Sequence, residues 1–298
     1  MLVEVAPLRP ELAKVSVILV ATVCERFIPG TKLIRYGEGD WNDSLQPADP
    51  KLRDIMVSSW TVALLYQQIK RYAEVLRRAR RGEEALPLDI LAEEMRRDFN
   101  RHLIADGTVA GYAIFEPGHD RPELLLHPSD RRTGLSYSLL PMKRSILSGL
   151  FTKEQTQHHL DIIRRHLLFP DGARLMDRPV TYRGGPERIF RRAESAANFG
   201  REIGLMYTHA HLRYGEAMAG LGDADALWDA LIKVNPIAVT EHLGHATLRQ
   251  RNAYFSSSDA AFPDRYKASE EWERIRSGEV ASRKSAGFSR RRTSIERS

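Results

Sequence analysis

The segment from Gly37 to Ser44 combines residue types that suit chemistry on a sugar. Asp40 and Asp43 are carboxylic acids three residues apart. Trp41 and Asn42 lie between them. An indole stacks on the apolar face of a sugar ring, and by excluding water it helps to keep a nearby carboxyl group protonated, as an acid catalyst requires. The alternative is an Asp/Asn-rich turn around a buried tryptophan.

A second group of residues, Tyr207–Arg213, favours an anion site. His209 and Arg213 are four residues apart, so they can share one face of a helix. A histidine and an arginine near a helix N-terminus attract anions through their charge and through free backbone N–H groups. His209 and His211 cannot share a face, and we expect no metal site. The alternative is that these residues belong to the core and surface of a helix.

A third group suggests a different class of protein. Arg213, His245 and Tyr254 follow the order of the C-terminal half of a tyrosine recombinase, in which the tyrosine is the nucleophile. This alternative predicts a DNA-binding protein. The residue three before the arginine, where that class has a histidine, is Ala210 here, which weakens the alternative.

The elements that must position these groups are mainly helical. Apolar residues at helical spacing predict helices from about Asp54 to Arg81, over Leu88–Leu103, over Leu160–Leu167, over Leu205–Ala219 and over Ala224–Val234.

Turn-forming residues between the helices indicate loops and one β-hairpin. Asp106-Gly107 between apolar residues predicts the hairpin turn. His158 and His159 fall on the polar part of a helix, so we expect both to be solvated. Long loops are expected at Pro29–Pro50 and Pro170–Pro186. Together these features predict an all-α scaffold with a site built on loops at one end.

The composition excludes several classes of protein. The chain has 298 residues, of which 42% are hydrophobic and 28% charged, as in an ordinary globular protein. The single cysteine, Cys24, excludes an internal disulfide and a Cys-rich metal site. The formal charge is +6, but residues 282–298 contain six basic residues and one acidic residue. The rest is therefore close to neutral, and we expect no nucleic-acid partner.

An apolar run at Val15–Cys24 is too short to span a membrane. We interpret it as a buried helix rather than a targeting signal, and we expect a cytoplasmic protein without a membrane partner.

Three segments in order resemble glycoside hydrolase family 94, the inverting phosphorylases related to cellobiose and chitobiose phosphorylase and to cyclic β-1,2-glucan synthase. Gly39–Asp43 looks like the catalytic Gly-Asp-Trp-Asn-Asp motif of that family. Gly200–Ala210 resembles its pattern R-E-N-G-G-x-Y-T-H-A. The third match comprises Leu221–Asp223, Trp228 and Asn235–Ile237. Each motif alone is moderately specific for the family, and the three motifs in order are a strong indication of it.

The resemblance implies a role for each matching residue. Asp43 would be the general acid, and Trp41 would lie beside the donor sugar. His209 would contact phosphate, and Glu202 would contact sugar hydroxyls. Asp40 would orient the loop.

The implied reaction is inverting phosphorolysis of a β-linked glucoside or oligosaccharide, or glycosyl transfer in the reverse direction. Inorganic phosphate is the co-substrate, and no cofactor or metal is expected. An inverting hydrolase would instead need a second carboxylate to activate water, with Glu202 or Glu194 as the candidates.

The resemblance also implies a fold and a domain organisation. Residues 1–281 would be the C-terminal portion of an (α/α)6-barrel catalytic domain (a partial helical toroid with short β-hairpin insertions), and residues 282–298 a basic, disordered tail. The family's N-terminal β-sandwich, its early barrel helices and its Gly-rich phosphate loop have no counterpart in this sequence. We therefore expect a fragment that is incomplete or inactive alone and that self-associates through exposed apolar faces.

Overall fold

The protein is mainly helical in this computed structural model. The structure describes residues 18–42, 45–178, 189–190, 206–235, 238, 241, 256–257, 270–277 and 284–285. The predicted mainly helical class is confirmed. The helices are residues 18–24 (α1), Leu52–Ile55 (α2), Ser59–Arg78 (α3), Gly82–His102 (α4), Leu139–Ser148 (α5), Lys153–Ile162 (α6, continued by a π-helical turn at Ile163–Leu167), Thr208–Leu221 (α7), Ala224–Val234 (α8) and Trp272–Arg276 (α9).

Short antiparallel strands connect the helices. They are Met56–Ser58 (β1), Ile104–Ala105 (β2), Thr108–Val109 (β3), Tyr112–Ile114 (β4), Glu123–Leu125 (β5), Leu168–Phe169 (β6), Gly172–Ala173 (β7), Ser256–Ser257 (β8) and Lys284–Ser285 (β9). In the three-stranded sheet, β4 lies between β1 and β5. Each of the other pairs joins two strands: β2 with β3, β6 with β7, and β8 with β9.

The prediction of one continuous helix from Asp54 to Arg81 is wrong at its start. Met56 pairs with Ile114 and Ser58 with Tyr112, so these residues form strand β1. All three residues of β1 are buried, and pairing with β4 satisfies their backbone groups. Helix α3 begins only after Ser58, whose hydroxyl caps it by accepting a hydrogen bond from the backbone N–H of Thr61.

The other predicted helices are present, although α4 begins at Gly82, α6 begins at Lys153, and Leu205 lies outside the described residues. Helices α3 and α4 pack together as a helical hairpin, and α4 buries the predicted stripe through Leu88, Leu91, Met95 and Phe99. Helix α8 covers the predicted residues, and Asp223 caps it through a 3.0 Å bond from Ala226 N. Helix α5 contacts both α3 and α7, and α7 contacts α8. Because α5 lies between α3 and α7, its side chains can join the two halves of the candidate site.

The predicted hairpin at Asp106-Gly107 is confirmed. Strands β2 and β3 flank these two residues, whose φ angles are +47° and +77°. A two-residue turn with both φ angles positive matches the right-handed twist of the flanking strands, and glycine adopts such an angle without strain.

The prediction that His159 is solvated is wrong, although His158 is exposed. The His159 side chain is fully buried and stacks on Phe151 at a ring separation of 4.2 Å. Its Nδ1 donates to Gln155 O (2.7 Å) and its Nε2 accepts from Val109 N (3.1 Å). The ring therefore accepts the backbone N–H of a residue in β3. The polar residues around His159 in the sequence do not indicate this distant partner.

Some apolar surface remains exposed in the described part of the chain. Residues 18–24 are helical as predicted. The prediction that this segment is buried is wrong at Ile18 and Leu19, which are exposed. Trp228 and Leu231 on α8 are also exposed. The expected self-association stays a prediction. Of the helices described, none has both the length and the apolar character needed to cross a membrane.

Candidate functional site

Asp40 is anchored by a strand, by a helix and by its own loop. Its Oδ2 accepts a 2.8 Å hydrogen bond from the Tyr112 hydroxyl on β4. Its Oδ1 accepts a 3.3 Å bond from Thr61 Oγ1 in the first turn of α3, and a 2.6 Å bond from the backbone N–H of Trp41. The carboxylate therefore fixes the loop that carries Trp41 against the sheet and against the start of α3.

The electrostatic environment of Asp40 is a balance between burial and hydrogen bonding. Burial raises the pKa of the Asp40 carboxyl above its ordinary value. Hydrogen bonds from Tyr112, Ser58, Trp41 and Thr61 oppose that rise by stabilising the charged form. Because all of its partners lie in the scaffold, the geometry suits an orienting role, as the sequence predicts for Asp40.

The Trp41 indole is the centre of an aromatic cluster. It meets the Tyr207 ring edge-on at 5.3 Å and the His209 ring at 5.6 Å, tilted by 47°. On another side it lies 6.5 Å from Trp60, on α3. Trp41 itself is only partly buried. The structure thus brings together Trp41 and His209, two of the predicted site residues separated by more than 160 positions in the chain.

His209 lies in the first turn of α7, as its sequence context predicts. The helix begins at Thr208, and Tyr207 supplies no side-chain cap. The first N–H groups of a helix have no partners within the helix, and they carry the positive end of its dipole. The exposed His209 imidazole therefore lies beside the positive end of the α7 dipole. This arrangement suits the binding of an anion such as phosphate.

Partial burial and nearby charges favour the neutral form of the His209 imidazole. Burial lowers its pKa below the ordinary value, and Lys143, Arg213 and Arg144 lower it further. A neutral imidazole carries one N–H donor and one acceptor nitrogen. The ring can therefore donate to an oxyanion, while the surrounding cations supply the positive charge.

The structure gives different roles to His211 and Arg213. His211 is fully buried: its Nδ1 accepts from Ala173 N and its Nε2 donates to Ala230 O, both at 2.9 Å. It joins α7 to β7 and α8, away from the face that carries His209. Arg213 is exposed and pairs with Glu216 at 2.6 Å.

Sequence reasoning misses two residues that contact this cluster. Lys143 on α5 is buried, and its ammonium group lies 5.8 Å from the centroid of the Trp41 ring. Trp60 borders Trp41, and Arg144 lies over the Trp60 ring at 5.8 Å. The one available signal is that Lys143 interrupts a buried apolar stretch that includes Leu139, Leu140 and Met142.

Several predicted site residues lie outside the described residues. These are the proposed general acid Asp43, the sugar contact Glu202, the alternative base Glu194, and the recombinase candidates His245 and Tyr254. The roles assigned to them stay predictions. In the ranges that the structure does describe, no group of three or more His, Cys, Asp or Glu side chains is arranged to hold a metal ion.

Comparison with known proteins gives two matches. Residues 21–263 match the family described as the glycosyl hydrolase 94 superfamily, catalytic domain. The 1,2-beta-oligoglucan phosphorylase of Listeria innocua serovar 6a (strain ATCC BAA-680 / CLIP 11262) is 47% identical over 262 residues, which are 88% of this chain and 23% of that protein. The chain thus spans about a quarter of the length of this curated relative. The resemblance of the three motifs is confirmed: the chain belongs to the glycosyl hydrolase 94 superfamily.

Proposed function

We propose that this chain carries part of the active site of an enzyme that cleaves β-linked oligoglucans with inorganic phosphate, or that forms them in the reverse direction. One observation carries the proposal. The Trp41 indole, which suits a sugar ring, lies 5.6 Å from His209 at the N-terminus of α7, which suits an anion. The relative's name, 1,2-beta-oligoglucan phosphorylase, supports a β-1,2-linked oligoglucan as the substrate.

In the proposed reaction, Asp43 protonates the glycosidic oxygen while phosphate attacks the anomeric carbon from the opposite face. Phosphate is already an anion, so the reaction needs no carboxylate base. Trp41 stacks on the donor sugar and His209 donates a hydrogen bond to phosphate, while Asp40 keeps the loop in place. Glu202 binds sugar hydroxyls.

Two alternatives have less support. An inverting hydrolase would use Glu202 or Glu194 as a base, and the phosphate dependence of the reaction distinguishes it from a phosphorylase. The DNA recombinase alternative receives no support from the comparisons. Arg213, its candidate arginine, forms an ion pair with Glu216.

We further propose that the helices form part of an (α/α)6 barrel. Helices α3 and α4 form one hairpin, α7 and α8 form another, and α5 packs between α3 and α7. Consecutive helical hairpins are the repeating unit of such a barrel. The remaining parts of the donor and phosphate sites would come from regions that this chain does not match. We therefore expect no release of glucose 1-phosphate by the 298-residue chain alone.

A chimeric enzyme tests the proposed function. In it, this chain replaces the matching segment of the Listeria innocua phosphorylase, and activity on β-1,2-oligoglucans is measured with phosphate. We expect Asp43→Asn to lower turnover by at least about 100-fold, because a general acid contributes roughly that much. The matched control is Asp49→Asn, which changes an exposed aspartate of the same loop. Unchanged phosphorolysis by Asp43→Asn would refute the assignment.

A further inference from the structure

Lys143 connects two parts of the candidate site that are far apart in the sequence. Its side chain is only 2% exposed, and its Nζ donates a 3.0 Å hydrogen bond to the backbone carbonyl of Ala210. The same Nζ lies 5.8 Å from the centroid of the Trp41 ring. Ala210 directly follows His209 in the first turn of α7. One ammonium group therefore contacts both the Trp41 loop and the helical turn that carries His209.

Burial at this position is unfavourable in free energy for a charged lysine. Among the described side chains, no carboxylate lies within 4.0 Å of Lys143 Nζ, the distance that defines an ion pair. Burial lowers the pKa of Lys143 well below its ordinary value, and Arg144 and Arg213 lower it further, while Glu216 opposes them. Taking an ammonium group out of water costs several kcal/mol, whereas methionine would fill similar space without that cost. Packing alone therefore does not account for a lysine here.

Two contacts of Lys143 oppose the effect of burial on its charge. A carbonyl oxygen and an indole face both attract a cation. Its positive charge also acts on His209, whose pKa Lys143, Arg213 and Arg144 lower together. The result is a cluster of positive charge beside the N-terminus of α7, which an anion would neutralise.

We propose that Lys143 is a positioning residue that holds the Trp41 ring and the first turn of α7 at a fixed separation and adds the positive potential that favours an anion beside His209. The inference rests on the proposed function in taking phosphate as that anion. Lys143 acts through Trp41 and Ala210, and it needs no contact of its own with the sugar.

Histidine and tryptophan NMR of the 298-residue chain tests this proposal. Lys143→Met removes the charge and keeps most of the side-chain volume. Lys143→Gln removes the charge but retains an N–H donor, and it serves if the first variant does not fold. The matched control is Lys70→Met, because Lys70 Nζ lies 5.9 Å from the Tyr66 ring on the exposed surface of α3. His209→Asn and Trp41→Phe assign the two resonances that are followed.

The signals are recorded across pH, first without phosphate and then with inorganic phosphate. In both Lys143 variants we expect the pKa of His209 to rise, because a neighbouring positive charge is lost. Loss of the same charge should lower phosphate affinity by about threefold. The Trp41 indole signal should also shift. Lys70→Met should match the wild type in all three measurements.

The role of Lys143 and the assignment of phosphate fail in different ways. If the His209 titration and the Trp41 signal of the Lys143 variants match those of Lys70→Met, the positioning role of Lys143 is wrong. If phosphate perturbs His209 in none of the proteins, including the wild type, the assignment of phosphate to His209 fails. In that case the titrations without phosphate still decide the role of Lys143.

Discussion

The Tyr112 hydroxyl donates a 2.8 Å hydrogen bond to Oδ2 of Asp40, and so joins the central strand of the sheet to the loop that carries Trp41. The bond is directed at a carboxylate whose pKa is already raised by burial. It therefore supports both the position of the loop and the charge of Asp40.

Removing this donor should destabilise the protein. We expect Tyr112→Phe to lower the free energy of unfolding by about 1–3 kcal/mol, the usual cost of leaving a buried charged group without one of its partners. The pKa of Asp40 should rise further, so the deficit should shrink as the pH falls and Asp40 becomes protonated. Denaturant unfolding at several pH values measures both effects. Tyr72→Phe on α3 is the control, and an equal loss in both variants would contradict the account.

His159 should make stability depend on pH in the acidic range. Burial lowers the pKa of His159 from 6.5 to about 4 in the folded protein. The unfolded chain therefore takes up the proton first, and the free energy of unfolding falls as the pH drops from about 6.5 towards 4. The loss attributable to this group is about 3 kcal/mol.

His159→Gln isolates this contribution, since the variant has no imidazole to titrate. Its unfolding free energy should fall less steeply between pH 6.5 and 4 than that of the wild type. The matched control is His158→Gln, which alters the exposed neighbour and should keep the wild-type slope. Parallel curves of unfolding free energy against pH for His159→Gln and the wild type would show that His159 does not cause the pH dependence.

Gly172 should tolerate no side chain. Its φ is +128°, and a Cβ atom there would lie 2.7 Å from Met206 Cγ and 3.2 Å from His211 Nδ1. We expect Gly172→Ala to destabilise the protein by about 1–3 kcal/mol more than Gly118→Ala. Gly118 also has a positive φ, +85°, but a Cβ atom there would meet nothing within 4 Å, so Gly118→Ala carries backbone strain without crowding. Equal thermal unfolding of the two variants would contradict this expectation.

Local signals in the sequence predict much of the fold. The end of α8 follows from Asn235-Pro236, and the β2–β3 turn follows from Asp106-Gly107, because each depends on residues adjacent in the chain. Strand β1 is missed because its partner, β4, lies more than 50 residues away. A long-range pairing overrides the helical pattern at Met56–Ser58.

In the candidate site, too, local motifs are predicted and long-range contacts are missed. Asp40, Trp41 and His209 are found from motifs, because each motif is a continuous stretch of sequence. Lys143 is missed because its two contacts, Trp41 and Ala210, come from other parts of the chain. His159 is misjudged for the same reason, since Val109 supplies one of its partners.

The identity of the sugar product tests the central claim most directly. The chimeric enzyme carrying this chain is incubated with β-1,2-oligoglucan with and without inorganic phosphate, and the products are followed by proton and phosphorus NMR. Inversion at a β-linked donor predicts the α-anomer of glucose 1-phosphate, formed only when phosphate is present. Free glucose released at the same rate without phosphate would contradict the account and would indicate a hydrolase instead.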